Sequence, residues 1–282
     1  MSAADEEAAL LGLAPVAPER TVAYGPHPDQ IVDLYPPAAG AARGPLVVLF
    51  HGGFWRAAYD RRHLSPLAAA LAGQGLPVAL AEYRRVGAGG GGTRTFDDAT
   101  AAVTASVTAV RDAPTGEATT EGTVSGGTVT GGAAAGAPGE RPVLVGHSAG
   151  GHLALLAAAR LGPAAVGRVV AVAPVADLAG AHRLGLSDHA VAALLGEGPG
   201  LAERIAAADP VRHPPAGVPV TLLHGDDDRE VPPELSRRFT AACHPAATLH
   251  ELPGVGHYAP VTPGTPACRT LLGALLAAAH TG

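Results

Sequence analysis

The sequence predicts an α/β domain: a mostly parallel sheet with helices on both faces. Three observations point there. Short apolar runs alternate with stretches of good helix formers along nearly the whole chain. Several of those runs, such as residues 45–50, are apolar without interruption, as strands buried on both faces are. The chain has 282 residues, 47% of them hydrophobic, enough for one large core in a single domain.

In chain order, residues 5–13 read as a short amphipathic helix stopped near Pro15, within an N-terminal tail of residues 1–20. Residues 21–24 and 30–35 read as an antiparallel hairpin, with Gly25-Pro26-His27-Pro28 as the turn. Strands follow at 45–50, 77–84, 143–145, 168–174, 219–225 and 247–252. Helices are expected at 62–73, at about 96–111 with Thr95 as N-cap, after Ser148, at 234–243 and at 266–280. Residues 178–209 form a cap-like insertion with helical runs near 188–195 and 201–208. Residues 112–141 are Gly, Thr, Ala and Ser with almost no large apolar side chain, which reads as a disordered insertion.

Composition excludes several function classes. Net charge is -6 and no basic run occurs, which argues against nucleic-acid binding. No apolar run reaches the roughly 18 residues of a membrane span. Residues 1–13 carry Asp5, Glu6 and Glu7 and no basic residue, unlike a signal peptide, so a cytoplasmic location is expected. Two cysteines, Cys243 and Cys268, do not make a disulfide framework. All 19 basic residues are arginine, so lysine Schiff bases, phosphate-loop lysines and Ser-Lys dyads are ruled out.

Chemistry concentrates at Gly146-His147-Ser148-Ala149-Gly150. A serine between two glycines, on a turn from strand to helix, is the nucleophile-elbow pattern. The turn strains the serine backbone and puts its hydroxyl at the tip. The N–H of Ala149 opens the helix and is available to a developing anion. A serine needs a general base, and the base an orienting acid. On such a fold these follow in the order acid, then histidine, each after a strand. The loop after residue 223 offers Asp226, Asp227 and Asp228, with Asp177 a more remote alternative. The loop after residue 252 offers His257. Ser187-Asp188-His189 holds all three residue types, but adjacent helical side chains cannot line up as a relay. That triplet reads as a helix N-cap with surface polar residues.

With these motifs in place, the chain resembles an α/β-hydrolase over nearly its whole length. The resemblance implies the α/β-hydrolase fold for residues 21–282. In that superfamily the acid loop commonly reads H-G-x-x-D-x-x-V-P, which implies Asp228 as the acid. The loop His51-Gly52-Gly53-Phe54-Trp55 is similar to the H-G-G loops of lipases and esterases, and implies that the N–H groups of Gly53 and Phe54 join Ala149 as the oxyanion hole. His51 is expected to prop this loop. The H-G-G-[FY]-W form resembles the arylformamidase (kynurenine formamidase) and carboxylesterase group, as do Tyr24-Gly25-Pro26-His27-Pro28-Asp29-Gln30 and Asp33-Leu34-Tyr35-Pro36. Trp55 and Tyr258 are expected in the pocket wall.

The implied activity is a serine hydrolase. It would cleave small carboxylic esters or aryl formamides through an acyl-enzyme formed by Ser148, Asp228 and His257, with neither metal nor organic cofactor. The partner expected is a small-molecule ester or amide substrate, with neither nucleic acid nor membrane. The alternatives are a thioesterase or peptidase of the same fold, or a silent member that binds a small molecule.

Overall fold

The computed structural model describes residues 3–38, 41–42, 44–112 and 141–277. Apart from its end residues Asp112 and Arg141, the insertion read at 112–141 lies outside the described residues, as does His280 of the last helix.

The chain opens with α1 (Ala3–Leu11), then the hairpin β1 (Arg20–Ala23) and β2 (Ile31–Tyr35). Next come β3 (Val47–Phe50), a 3-10 turn (Arg61–Leu64), α2 (Ser65–Gly73), β4 (Val78–Ala81) and α3 (Thr93–Arg111). β5 (Val143–His147) leads directly into α4 (Ala149–Leu161), and β6 (Arg168–Val172) follows. Three helices then stand in a row: α5 (Leu178–Arg183), α6 (Leu186–Leu195) and α7 (Leu201–Ala208). The chain closes with β7 (Val220–Gly225), α8 (Glu234–Cys243), β8 (Ala247–Leu252), a 3-10 turn (Ala259–Val261) and α9 (Pro266–Ala277).

The eight strands form one sheet in the order β1-β2-β4-β3-β5-β6-β7-β8. β2 pairs antiparallel with β1 and β4, and every other pair is parallel. The parallel part is covered on both faces, which is why its strands are apolar throughout. Val48 and Phe50 point to one face, where Phe96 and Ala99 of α3 and Leu153 and Ala154 of α4 pack. Val47 and Leu49 point to the other, against Leu67 and Leu71 of α2 and Leu271 and Leu275 of α9. Each strand thus serves two cores. Among the described residues, no helix is long and apolar enough to cross a membrane.

The short N-terminal helix is present as α1, and its Leu10 is buried in the α2/α9 core with Val261 and Leu271. Three local expectations need correction. α3 starts at Thr93 with Gly92 at the cap, so Thr95 is inside the first turn. Its hydroxyl donates to the Arg84 carbonyl at 2.7 Å and accepts from Gly91 N–H at 2.9 Å, pinning the glycine loop to the helix. The insertion holds a helix, α5, that the sequence reading lacked; it is six residues long and capped by Asp177, whose Oδ1 accepts from Gly180 N–H at 2.7 Å. Ser187, Asp188 and His189 do not cap a helix. All three have left-handed φ values, 46°, 51° and 55°, and the cap of α6 is Gly185. The Arg56 guanidinium donates to the Ser187 and Asp188 carbonyls and ties this stretch to the loop after β3.

Candidate active site

Ser148 sits between β5 and α4 with φ 57° and ψ -120°, a strained conformation for a residue with a side chain. The surroundings enforce it. A Cβ at Gly146 would stand 2.1 Å from the Gly150 carbonyl oxygen, and one at Gly150 would stand 2.2 Å from that of Phe50. Only glycine lets strand and helix approach so closely. The Ser148 N–H donates to the Val172 carbonyl at 2.9 Å, which fixes the turn to β6. Ala149 is the first residue of α4, where an N–H has no acceptor within the helix.

Ser148 and His257 line one cavity of about 270 Å³. His257 follows β8, and its Nδ1 lies 2.6 Å from Asp228 Oδ2. Asp228 follows β7 and is almost fully buried. Its Oδ1 accepts the N–H groups of Glu230 and Val231, each at 2.9 Å, and His224 Nε2 lies 3.2 Å from its Oδ2. Burial by itself would raise this carboxyl, but the His257 and His224 rings outweigh burial and hold it well below the usual carboxylate range. The other candidate acids have other partners. Asp226 accepts from Gly254 N–H at 2.7 Å, Asp227 is exposed beside Arg229, and Asp177 caps α5 and faces Arg238 at 3.4 Å.

His147 is buried beside His257, with ring centroids 4.6 Å apart. Its Nε2 donates to the His257 carbonyl at 3.0 Å, and its Nδ1 has no partner. Burial, and then the neighbouring His257 ring, push its pKa well below 6.5, so it stands neutral.

The loop His51-Gly52-Gly53-Phe54-Trp55 lies alongside. Gly53, Phe54 and Trp55 have φ values of 99°, 47° and 58°, and the last two are bulky residues in a region that such side chains rarely occupy. Hydrogen bonds hold the loop in place: Arg56 N–H to the Gly53 carbonyl at 3.0 Å, and Val86 N–H to the Trp55 carbonyl at 2.8 Å. His51 is its buried prop. Its Nδ1 meets the Gly52 carbonyl at 2.8 Å, its Nε2 meets Glu82 Oε1 at 2.7 Å, and its ring stacks on Tyr83 at 4.5 Å. Glu82 also accepts the Arg61 backbone N–H at 3.0 Å and lies 3.4 Å from Arg85 Nε. Burial would raise the Glu82 carboxyl; His51, Arg85 and the Arg61 N–H reverse that and lower it to about 2.

Of the residues expected in the site, Ser148, His257, Gly53, Phe54 and Tyr258 line the cavity. Ala149 adjoins it through Ser148, and Asp228 stands behind His257. Trp55 is the exception. It is fully buried in the core with its ring edge-on to His152 at 5.3 Å, so the pocket-wall expectation is corrected. Its neighbour Phe54, also at positive φ, borders the cavity instead. Sequence reasoning missed Glu82, Tyr59 and the α1 residues Glu7, Leu10 and Leu11, all but Glu82 in the cavity wall. A lone acid at the end of the apolar run 77–81 was the available signal for Glu82. A second cavity, of about 360 Å³, is bordered by Phe96, Leu156, Leu195 and Asp209 and holds none of these reactive side chains. Among the described residues, no three His, Cys, Asp or Glu side chains converge as metal ligands.

The profile of the prolyl oligopeptidase family matches residues 137–259, from just before β5 to just past His257. No curated protein sequence matches the chain significantly. Among solved structures, esterase B from Lactobacillus rhamnosis, captured with an inhibitor, is similar at 21% identity and a TM-score of 0.72, over 99% of this chain and 92% of that one. A thermophilic esterase of the Planctomycetes species Thermogutta terrifontis with propionate bound is similar at 22% identity and a TM-score of 0.63, over 90% of each chain. A putative thioesterase from Silicibacter sp. tm1040 is similar at 23% identity and a TM-score of 0.63, over 97% of this chain and 90% of that one. With its sheet order, these likenesses give the chain the α/β-hydrolase fold.

Proposed function

We propose that this protein is a serine hydrolase of small carboxylic esters, working through an acyl-enzyme on Ser148. One observation carries the reading: Ser148, strained on its turn, shares a cavity with His257, whose far nitrogen is 2.6 Å from the buried Asp228 carboxylate. With Nδ1 donating to Asp228, the His257 ring is held in the tautomer whose Nε2 can accept a proton.

In the proposed reaction, Ser148 Oγ attacks the acyl carbon and passes its proton to His257 Nε2. Asp228 stabilises the resulting imidazolium. The tetrahedral oxyanion is held by the N–H groups of Gly53, Phe54 and Ala149. His257 returns the proton to the departing alkoxide, which leaves as the alcohol. Water then attacks the acyl-serine, giving its proton to His257, and the acid is released as Ser148 Oγ takes the proton back.

The cavity volume, about 270 Å³, suits a short acyl chain. A second reading, hydrolysis of aryl formamides, is favoured by His51-Gly52-Gly53-Phe54-Trp55 and by the aromatic rings of Phe54, Tyr59 and Tyr258 around the cavity. Formyl is the smallest acyl group, and the aryl amine would leave in place of the alcohol.

The test is to compare hydrolysis of p-nitrophenyl acetate and of N-formylkynurenine by the wild type and by Ser148→Ala. Ester turnover lost in the variant supports an esterase. Formamide turnover far above ester turnover moves the assignment to a formamidase. Full activity in Ser148→Ala overturns the mechanism for both.

A further inference from the structure

We infer that Glu6 of α1 is a positioning residue for His257: it holds the loop that carries the base by accepting three of the loop's backbone N–H groups. Glu6 Oε1 accepts from Gly256 N–H at 3.0 Å. Glu6 Oε2 accepts from Tyr258 N–H and Ala259 N–H, each at 3.1 Å. Glu6 is only 5% exposed, so these bonds are shielded from water and from competing donors. The inference rests on the hydrolase reading for its catalytic consequence.

The arrangement is specific. The three N–H groups flank His257 on both sides, so one carboxylate sets the path of the chain before and after the base. Tyr258 and Ala259 also begin the 3-10 turn Ala259–Val261, whose first N–H groups lack partners within the turn. Glu6 serves as their cap although it is about 250 residues distant in sequence. A Cβ at Gly256 would stand 2.7 Å from Glu6 Oε2, so glycine at that position lets the carboxylate reach the backbone. The helix bearing Glu6 is itself anchored, because Leu10 is buried against Val261 and Leu271. Together with His147, which donates to the His257 carbonyl, Glu6 leaves the base little freedom to move away from Ser148 and Asp228.

Two variants and two readouts test this. Amide hydrogen exchange over residues 254–261 reads the clamp directly and needs no substrate. Steady-state kinetics on p-nitrophenyl acetate read its consequence. Glu6→Ala is expected to speed exchange of these amides and to lower kcat by roughly tenfold to a hundredfold, the scale of a small misplacement of a reacting group. KM should change little, since Glu6 itself does not line the cavity. Glu6→Gln keeps one oxygen for the Tyr258 and Ala259 donors but turns an NH2 group toward Gly256 N–H. It should restore most of the protection and give an intermediate kcat. Unchanged exchange in Glu6→Ala overturns the clamp whatever the activity. Faster exchange with unchanged kcat overturns the positioning role. A wild type that turns over neither ester nor formamide counts against the hydrolase reading alone, and exchange still decides the clamp.

Discussion

His147 donates from Nε2 to the backbone carbonyl of His257 at 3.0 Å, so the residue before Ser148 holds the proposed base from behind. The bond joins the end of β5 to the loop after β8, across two intervening strands of the sheet. Replacing His147 with Ala leaves the His257 carbonyl buried without its donor, at a cost of about 1–3 kcal/mol. The expected result is a stability loss of that size in urea unfolding and a kcat lowered roughly tenfold. Because His147 stands neutral, the ratio of mutant to wild-type activity should stay flat between pH 6 and 9.

Glu82 makes stability acid-sensitive. Its folded pKa, about 2, lies below the ordinary 4.5, so its contribution is fully present above pH 4.5 and is lost as pH falls toward 2. Glu82→Gln should therefore cost on the order of 3 kcal/mol at pH 7 and progressively less in acid. Urea titrations at a series of pH values check this. A gap between wild type and variant that stays constant down to pH 2.5 would contradict it.

Gly53 is required on two counts. Its φ of 99° is strained for any other residue, and an added Cβ would stand 2.5 Å from Tyr59 Cβ. Gly53→Ala should displace the loop's N–H groups from the proposed oxyanion position. The expected loss is roughly 10²-fold in kcat, the scale for one lost oxyanion donor, with KM nearly unchanged. Pre-steady-state acylation of p-nitrophenyl acetate would show whether the slowed step is attack.

Trp55 is a core residue. Trp55→Ala should cost about 3–5 kcal/mol in unfolding free energy. At temperatures where the variant is folded, its preference among acetyl, butyryl and hexanoyl esters should match the wild type. Phe54→Ala, which enlarges the cavity, should shift that preference toward longer chains.

What the sequence made legible was local. The elbow glycines, the ordered loops after β7 and β8, and the unbroken apolar strands each put their signal within a few neighbouring residues. The acid loop shows the limit, because three consecutive aspartates look alike until the fold buries Asp228 and turns Asp226 and Asp227 outward. Trp55 shows another, since it packs against His152 of α4, a residue about a hundred positions away in the chain. Thr95 looked like a cap because the glycines before it read as loop, yet they feed the first turn of α3. Glu6 was beyond reach altogether: its partners lie at the opposite end of the chain, and nothing in an acidic run near Leu10 announces them.

The parallel sheet has a consequence for how the protein can be extended. β3, β5, β7 and β8 end on one rim, which holds Ser148, Asp228, His257 and the glycine loop. Between β4 and β5 the chain crosses back, so the junctions at Asp112 and Arg141 open on the other rim, where Arg141 is fastened to the Pro163 carbonyl. That makes the 112–141 junction a natural graft point. A foreign domain spliced there would be carried on the rim opposite Ser148, with the length of the strands between the two.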